Sequence, residues 1–501
     1  MDTLNSVFFG FQVALQPDNL FFCFLGALLG TLVGVLPGIG PVGAMALLMP
    51  ITFSMSPTAA VIMFAGIYYG CQYGGSTTSI LLNLPGESTS IVTCLDGYQM
   101  ARQGRAGVAL GIAAIGSFIA GTIGICGLIL FARPLTGFAL RFGPPEYFSL
   151  LCMGFIILTY LASGSMARAL LSAVMGIMLA MVGSDPMKGI DRFTLGNINL
   201  RDGISIVPLA MGMFGISEIL SHLEKRGPVE VYKTSLKGVF PRWKEMRESW
   251  GAILRGSVLG FFLGILPGGG AILSSFVSYA VEKKISKRPE LFGTGVIQGV
   301  AAPESANNAG AQASFIPLMT LGIPTNIVMA LLLGALMLHG VTPGPLMIRQ
   351  EPNLFWGLIS SMYIGNLMLL VLNLPLIGIW VRVLKVPPHI LFPVILILTM
   401  VGVFTIRSNV FDIYLMIFFG VLGYLFKKFE FEIAPFLLAF VLGDMFEEAL
   451  RQSLIMSRGD FTVFLSRPIS AAFLLVALGL ALLAAVPFLW RRRPGVGYDE
   501  G

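Results

Sequence analysis

Apolar stretches of about 20 residues, the length a helix needs to cross the hydrocarbon core of a bilayer, recur along nearly the whole chain, as at residues 107–131, 354–380 and 469–490. Such segments leave few choices of fold. Lipid offers no hydrogen bonds, so each crossing segment must satisfy its own backbone, and long uninterrupted apolar runs do so as helices. Only 12% of the 501 residues are charged, well below the roughly 25% of an average soluble domain. The sequence therefore predicts an all-α polytopic membrane protein with about 11–12 transmembrane or re-entrant helical segments.

The formal net charge is +6, but the basic residues gather in loops, where they record membrane orientation rather than an anionic partner. This argues against nucleic acid and leaves the lipid bilayer as the partner that composition implies. The five cysteines, Cys23, Cys71, Cys94, Cys126 and Cys152, lie in or beside apolar segments without the paired spacing of a zinc site or a disulfide framework. They read as small buried side chains. Residues 1–20 lack the basic n-region and cleavage site of a secretory signal, so the first apolar segment is expected to be retained. The tail at 491–501 opens with Arg491-Arg492-Arg493, which predicts a cytoplasmic C-terminus.

The chain also repeats itself. Residues 26–40, GALLGTLVGVLPGIG, match residues 256–270, GSVLGFFLGILPGGG, at eight of fifteen positions. In both copies glycine falls every fourth residue, at Gly26, Gly30, Gly34 and Gly38 and again at Gly256, Gly260, Gly264 and Gly268, leaving a bare stripe that another backbone can approach. Each copy ends in Leu-Pro-Gly-x-Gly, closing on Gly40 or Gly270, where proline removes a donor and glycine frees the backbone. The helix is expected to break there, inside the membrane. Residues 50–57 carry no basic residue, whereas 282–290 hold Lys283, Lys284, Lys287 and Arg288, so the positive-inside rule puts these corresponding loops on opposite sides. Two inverted-topology repeats follow: a first transmembrane half at 1–221, a basic cytoplasmic linker at 222–255, and a second half with C-terminal helices at 256–490. Arg133, Arg141, Lys188, Arg192 and Arg201 depart from this alternation.

A second element follows each glycine stripe, YYGCQYGGSTTSILLNLPGE at 68–87 and PESANNAGAQASFIPLMTLGIPTN at 303–326, each combining small and polar residues with a Leu-x-x-Pro. Broken, polar-rich segments at corresponding places in two halves point to a transporter binding site. Ser76, Thr77, Thr78 and Ser79 follow Gly74-Gly75, and a break there is expected to bare backbone groups. A carboxylate suits a half-helix N-terminus, while hydroxyl and carbonyl oxygens suit a desolvated cation. In the second element Glu304, Ser305, Asn307 and Asn308 precede Pro324, Thr325 and Asn326, and amides inside a membrane bridge helices or coordinate something. Asn83 and Pro85 complete the first element, and Glu87 and Glu304 are candidate cation ligands or proton carriers. Thr77, Thr78 and Asn308 are the candidate sodium ligands. Neither segment contains lysine or arginine, so an anionic substrate must be met by dipoles and a co-bound cation. Sodium is the expected coupling ion, with protons as the alternative.

Catalysis finds little support. The sequence has no Gly-x-x-x-x-Gly-Lys-Ser/Thr phosphate loop and no His-Glu-x-x-His pair. His222, His339 and His389 stand far apart and read as helix-end or loop residues, and Asp444, Glu447 and Glu448 as a solvated interfacial face.

The paired Leu-Pro-Gly-x-Gly segments, the Tyr69-Gly70-Cys71-Gln72-Tyr73-Gly74-Gly75-Ser76 run leading to Leu84-Pro85-Gly86-Glu87, and Pro303-Glu304-Ser305-Ala306-Asn307-Asn308-Ala309 resemble the large membrane subunit of tripartite tricarboxylate transporters over nearly the whole chain. The resemblance implies a bacterial inner-membrane carrier that works with a small membrane subunit and a periplasmic solute-binding protein, importing citrate-like or other carboxylates on an ion gradient. No cofactor is implied. Alternating access is the expected mechanism. An anion channel built from the same broken helices, or an intramembrane enzyme, is the competing reading.

Overall fold

Glycine spacing sets the central packing. The structure, a computed structural model, describes residues 3–36, 40–160, 165–185, 187–224, 239–266, 270–383 and 388–489. Along the chain come α1 (Thr3–Ala14), α2 (Pro17–Val35), α3 (Gly40–Thr52), α4 (Pro57–Leu82), α5 (Ile91–Arg102), α6 (Ala106–Ala139), α7 (Pro144–Tyr160) and α8 (Met166–Ala180). After a short β-hairpin follow α9 (Ile206–Ala210), α10 (Ser217–Glu224), α11 (Trp243–Gly264), α12 (Gly270–Ile285), α13 (Gln298–Ala313), α14 (Phe315–Leu321), α15 (Ile327–Leu338) and α16 (Met347–Gln350). The last helices are α17 (Pro352–Asn373), α18 (Ile377–Val383), α19 (Pro388–Arg407), α20 (Val410–Lys428), α21 (Ile433–Met456), α22 (Val463–Ser466) and α23 (Pro468–Leu489). The fold is thus the all-α, polytopic one expected. Among the described residues four helices, α2, α6, α17 and α20, are both long and apolar enough to cross a bilayer.

The helices form two bodies, Met1–Leu140 with Ile204–Lys428, and Arg141–Gly203 with Phe429–Gly501. This division cuts across the sequence repeat, since both glycine-stripe copies and both polar elements lie in the first body.

At the centre of the first body are α4 and α13. Every residue from Ala59 to Leu81 is buried in α4, and every residue from Gly299 to Ala313 in α13. The glycine stripes explain how polar helices come to lie there. Gly26, Gly30 and Gly34 sit against the carbonyls of Met63, Ile67 and Cys71, while Gly256, Gly260 and Gly264 sit against those of Ala302, Ala306 and Gly310. A methyl group at any of these glycines would overlap the opposing oxygen. Partner numbers rise together, so α2 runs parallel to α4 and α11 parallel to α13.

Parallel neighbours require the chain to turn back between them. In the second copy the return is visible: Ser274 Oγ donates to Gly260 O at 3.4 Å, and a Cβ on Gly256 would lie 3.2 Å from Ser278 Oγ, so α11 and α12 are antiparallel. The second Leu-Pro-Gly-x-Gly therefore joins two antiparallel helices, and the expected breaks at 37–39 and 267–269 lie outside the described residues. The residues that restart the helix, Gly40 (φ +62°) and Gly270 (φ +40°), have left-handed backbone that favours glycine. Gly38 and Gly268 lie outside the described residues, as do Arg491 to Arg493 and residues 225–238 of the basic linker.

The entry to α13 is fixed by a residue from the other half. The buried Asp96 carboxylate of α5 accepts from Gly293 N (3.0 Å), Gly295 N (2.8 Å), Val296 N (2.8 Å) and the Tyr279 hydroxyl (2.9 Å). All five cysteines are free thiols; Cys23 and Cys71 are buried as expected, while Cys126 is exposed.

In the second body α8 and α21 also meet at a glycine, Gly176, which lies against Phe436 O. Gly183–Ser184 pairs with Asp191–Arg192 as a two-residue antiparallel ladder. Asp185 accepts both Arg451 guanidinium nitrogens, at 2.9 and 3.0 Å, and the Met187 amide at 2.8 Å. Arg451 hydrogen-bonding, helped by the Met187 and Lys188 amides, holds the Asp185 carboxyl well below the usual range. Glu447 bonds Arg192 at 2.7 Å and Arg451 at 3.0 Å. Asp444 and Glu448 are exposed, as expected of a solvated acidic face, but Glu447 departs from it: Arg451 lies one helical turn beyond, and the hairpin delivers Arg192 to it.

Candidate functional site

The two polar elements stop their helices in the same way. Asn83 ends α4 in left-handed conformation (φ 57°) and Gly322 does so for α14 (φ 72°). Pro85 and Pro324 each follow two residues later, and Glu87 and Asn326 two residues after that. Both last residues are helix N-caps. Glu87 caps the Ser88–Ser90 turn before α5, and Asn326 Oδ1 accepts from Met329 N at 3.0 Å at the start of α15. The breaks thus lie at 83–87 and 322–326.

Ser76 to Ser79 stand elsewhere than expected: α4 continues unbroken through them. Gly74 lets α4 lie against Thr31 O, and Ser76 Oγ lies 3.0 Å from Gln72 O within an intact turn. The run does meet a break, but in its neighbour. Because α2 stops at Val35 while α4 continues, Thr78 Oγ1 reaches Val35 O, at the end of α2, at 2.8 Å. In the second half Ser314 Oγ approaches Gly264 O, near the end of α11, at 3.3 Å. Ser79 Oγ donates to Ser90 Oγ at 2.9 Å, and Ser90 Oγ to Glu87 O at 2.9 Å, tying α4 to the first break. Gly75 matters for the same reason, since a Cβ on Gly86 would fall 2.6 Å from Gly75 Cα.

The halves meet across α4 and α13. Ser76 Oγ donates to Glu304 Oε2 at 2.5 Å, and the Thr93 hydroxyl donates to Glu304 Oε1. Asn308 Nδ2 donates to Ser117 Oγ of α6 at 2.7 Å and to Glu304 O at 3.1 Å. Tyr68 packs near Phe315, with ring centres 6.2 Å apart, so from Tyr68 to Ser76 the partners on the other half run backwards from Phe315 to Glu304. Two further contacts are counterparts. Asn326 Nδ2 donates to the Tyr68 hydroxyl at 3.2 Å, and Asn307 Nδ2 approaches Glu87 Oε1 at 3.5 Å. In the common register Tyr68 corresponds to Asn307 and Glu87 to Asn326, so the second contact is the first with the halves exchanged.

Most of the expected residues are gathered here. Gly270 lies beside Asn326, whose Nδ2 would be 3.3 Å from a Cβ there, so the α12 start meets the α15 cap. Thr325 is fully buried, 3.4 Å from the Asn326 amide. Thr77 lines a small cavity with Ser76. Asn83 and Pro85 are exposed and shape the backbone instead. Gly40 has no non-neighbouring atom within 4 Å of its Cβ direction. Ser305 Oγ, Asn307 Oδ1, Gln72 Nε2, Gln312 Oε1 and Asn373 Oδ1 are buried without a hydrogen-bond partner among the described residues. That much unspent capacity in one region marks a place for ligands or water. Sequence reasoning missed Thr93, Ser117 and Asn373. Ser117 and Asn373 carried a usable signal, as polar side chains in the long apolar helices α6 and α17.

A comparison with known families agrees. Residues 20–438 match the tripartite tricarboxylate transporter TctA family. The chain belongs to this family. Two relatives are from Agrobacterium vitis. The "uncharacterized 52.8 kDa protein in TAR-I ttuC' 3'region" is 51% identical over 500 residues, covering 100% of both chains. The "uncharacterized protein in TAR-II ttuC' 3'region" is 54% identical over 241 residues, which is 48% of this chain and 100% of that one. No solved structure matches. As a TctA family protein the chain is the large, multi-pass membrane subunit of a tricarboxylate transporter, and the family implies a substrate-binding protein and a small membrane subunit as partners.

Proposed function

We propose that this subunit imports citrate-like tricarboxylates or related carboxylates across the bacterial inner membrane by alternating access of two inverted halves, coupled to sodium. The exchanged pair Tyr68–Asn326 and Asn307–Glu87 carries the reading. A contact that recurs with the halves swapped is the mark of a two-fold relation, and equivalent helices running in opposite directions support an axis in the membrane plane. The substrate carboxylates belong at the breaks, where the starts of α12 and α15 turn free N–H groups and positive dipole ends towards one another. The oxygen-rich flank formed by Ser76, Thr77, Thr78 and Asn308 suits a sodium ion, which offsets substrate charge where the segments supply no cation.

The test is uptake of labelled citrate by proteoliposomes holding the subunit with its small membrane partner and binding protein. Thr77→Ala and Asn308→Ala should lower apparent affinity for sodium and substrate in parallel, because coupling between the two ligands is reciprocal. Wild-type dependence on both in well-expressed variants, or wild-type uptake driven by a proton gradient alone, refutes the coupling. Topology is tested separately with cysteines at Ser54 and Lys284 in a cysteine-free background. Labelling of both from one side rules out inversion.

A further inference from the structure

The cavity beside Thr77 lies between three helices. It is lined by Tyr73, Ser76 and Thr77 of α4, Leu110, Ala113, Ala114 and Ser117 of α6, and Asn373 of α17. Its volume is about 10 Å³, room for a single water-sized occupant.

The hydroxyl protons of Tyr73 and Ser76 are committed elsewhere. Tyr73 donates to Asn366 Oδ1 at 2.8 Å, and Ser76 to Glu304 Oε2 at 2.5 Å. Ser117 accepts from Asn308 Nδ2 at 2.7 Å and retains a lone pair. The Asn373 amide donates to Leu369 O at 3.0 Å and to Thr31 Oγ1 at 3.4 Å, while its Oδ1 is buried with no partner. What remains for an occupant is oxygen acceptors. The nearest carboxylate, Glu304, is fully buried, forms no salt bridge among the described residues and accepts hydroxyls on both oxygens. A carboxylate buried this deeply is stable as an anion only beside a counter-charge. Hard monovalent cations need these two things, a small cage of neutral oxygens and one nearby negative charge.

We propose that this cavity holds the coupling sodium ion, with Asn373 Oδ1 and the oxygens of Tyr73, Ser76, Thr77 and Ser117 as ligands and Glu304 as the balancing charge reached through Ser76. The proposal rests on the sodium-coupled reading above and assigns the ion a place and two ligands, Asn373 and Ser117, on helices outside the repeated motifs. Its link to substrate runs along α4: one residue beyond Thr77, Thr78 holds the last carbonyl of α2.

The experiment is direct ²²Na⁺ binding to the purified full-length chain in nanodiscs, with lithium and potassium as competitors, alongside sodium-dependent uptake by the reconstituted complex. Asn373→Ala and Ser117→Ala should each weaken sodium binding at least tenfold, and Asn373→Asp, which keeps an oxygen in place, should restore it. Ser117→Ala removes only a hydroxyl, so it decides the matter if Asn373→Ala does not fold. Unchanged binding in folded Ser117→Ala and Asn373→Ala proteins overturns the site while leaving sodium coupling intact. Wild-type protein that transports without binding ²²Na⁺ overturns both, the cavity then holding only water.

Discussion

Replacing Asp96 with alanine should loosen the entry to α13 without touching the proposed ligands. Asp96 accepts three backbone N–H groups and one phenol, and hydrogen bonds to a charged acceptor contribute about 1.5–3 kcal/mol each. They do not all count equally. Gly293 is exposed, so water replaces its lost partner, whereas Gly295 is buried and Val296 half-buried. Counting only these two at the lower figure gives about 3 kcal/mol of local stability. Since about 1.4 kcal/mol is a factor of ten, the amides of Gly295 and Val296 should exchange with deuterium roughly 100-fold faster in Asp96→Ala. Hydrogen-exchange mass spectrometry on peptides covering 291–298 reads this directly, with peptides from α21 as the unchanged reference. Uptake should fall as well, because α13 carries Glu304 and Asn308. Exchange within about threefold of wild type would refute the assignment of this loop's order to the Asp96 bonds.

Gly260→Val should place a side chain against Ala306 O, where overpacking costs about 1–3 kcal/mol or more. A lowered melting temperature is expected, while Gly137→Val, with nothing within 4 Å, should melt like wild type. Asn326→Ala should cost about 1 kcal/mol through the lost cap and raise the KM for substrate. Asn326→Asp should recover the melting temperature but not the KM, because the amide bond to Tyr68 is still missing. Folding holds the Asp185 carboxyl below its unfolded value, so its contribution is full above about pH 4 and declines only as pH falls further towards the folded value. Exchange in the 183–192 hairpin should accordingly be flat from about pH 7 to 5 after correction for intrinsic rates and rise below about pH 4, a dependence that Arg451→Met should abolish.

The glycine stripes were legible because a four-residue glycine spacing has one main use in a buried helix, close approach of another backbone, and Gly26 to Gly34 and Gly256 to Gly264 serve it. The breaks were legible at Pro85 and Pro324, where proline removes a donor. Ser76 to Ser79 were misplaced because glycine and serine lower helix propensity in water, a penalty that burial against α2 overrides. Sequence alone could not reveal that these hydroxyls serve the end of a neighbouring helix, since that depends on α2 stopping half-way along α4. Asp96 was missed for a related reason: its partners are backbone amides nearly two hundred residues away, and an amide leaves no mark in composition. The second body's Asp185–Arg451–Glu447 network similarly depends on a hairpin that no local pattern announces.

The seams between α2 and α4 and between α11 and α13 have a mechanical consequence. Where main chain touches main chain, there are no rotamers to adjust, so the seam cannot creep by small repacking steps. The next equivalent docking position lies four residues along, about 6 Å at 1.5 Å per residue, and everything between places a carbonyl oxygen against a bulky side chain. Each seam is therefore a ratchet with one tooth engaged: its two helices travel as a single beam, and the hinges of any transport motion must fall at the turns that join the beams.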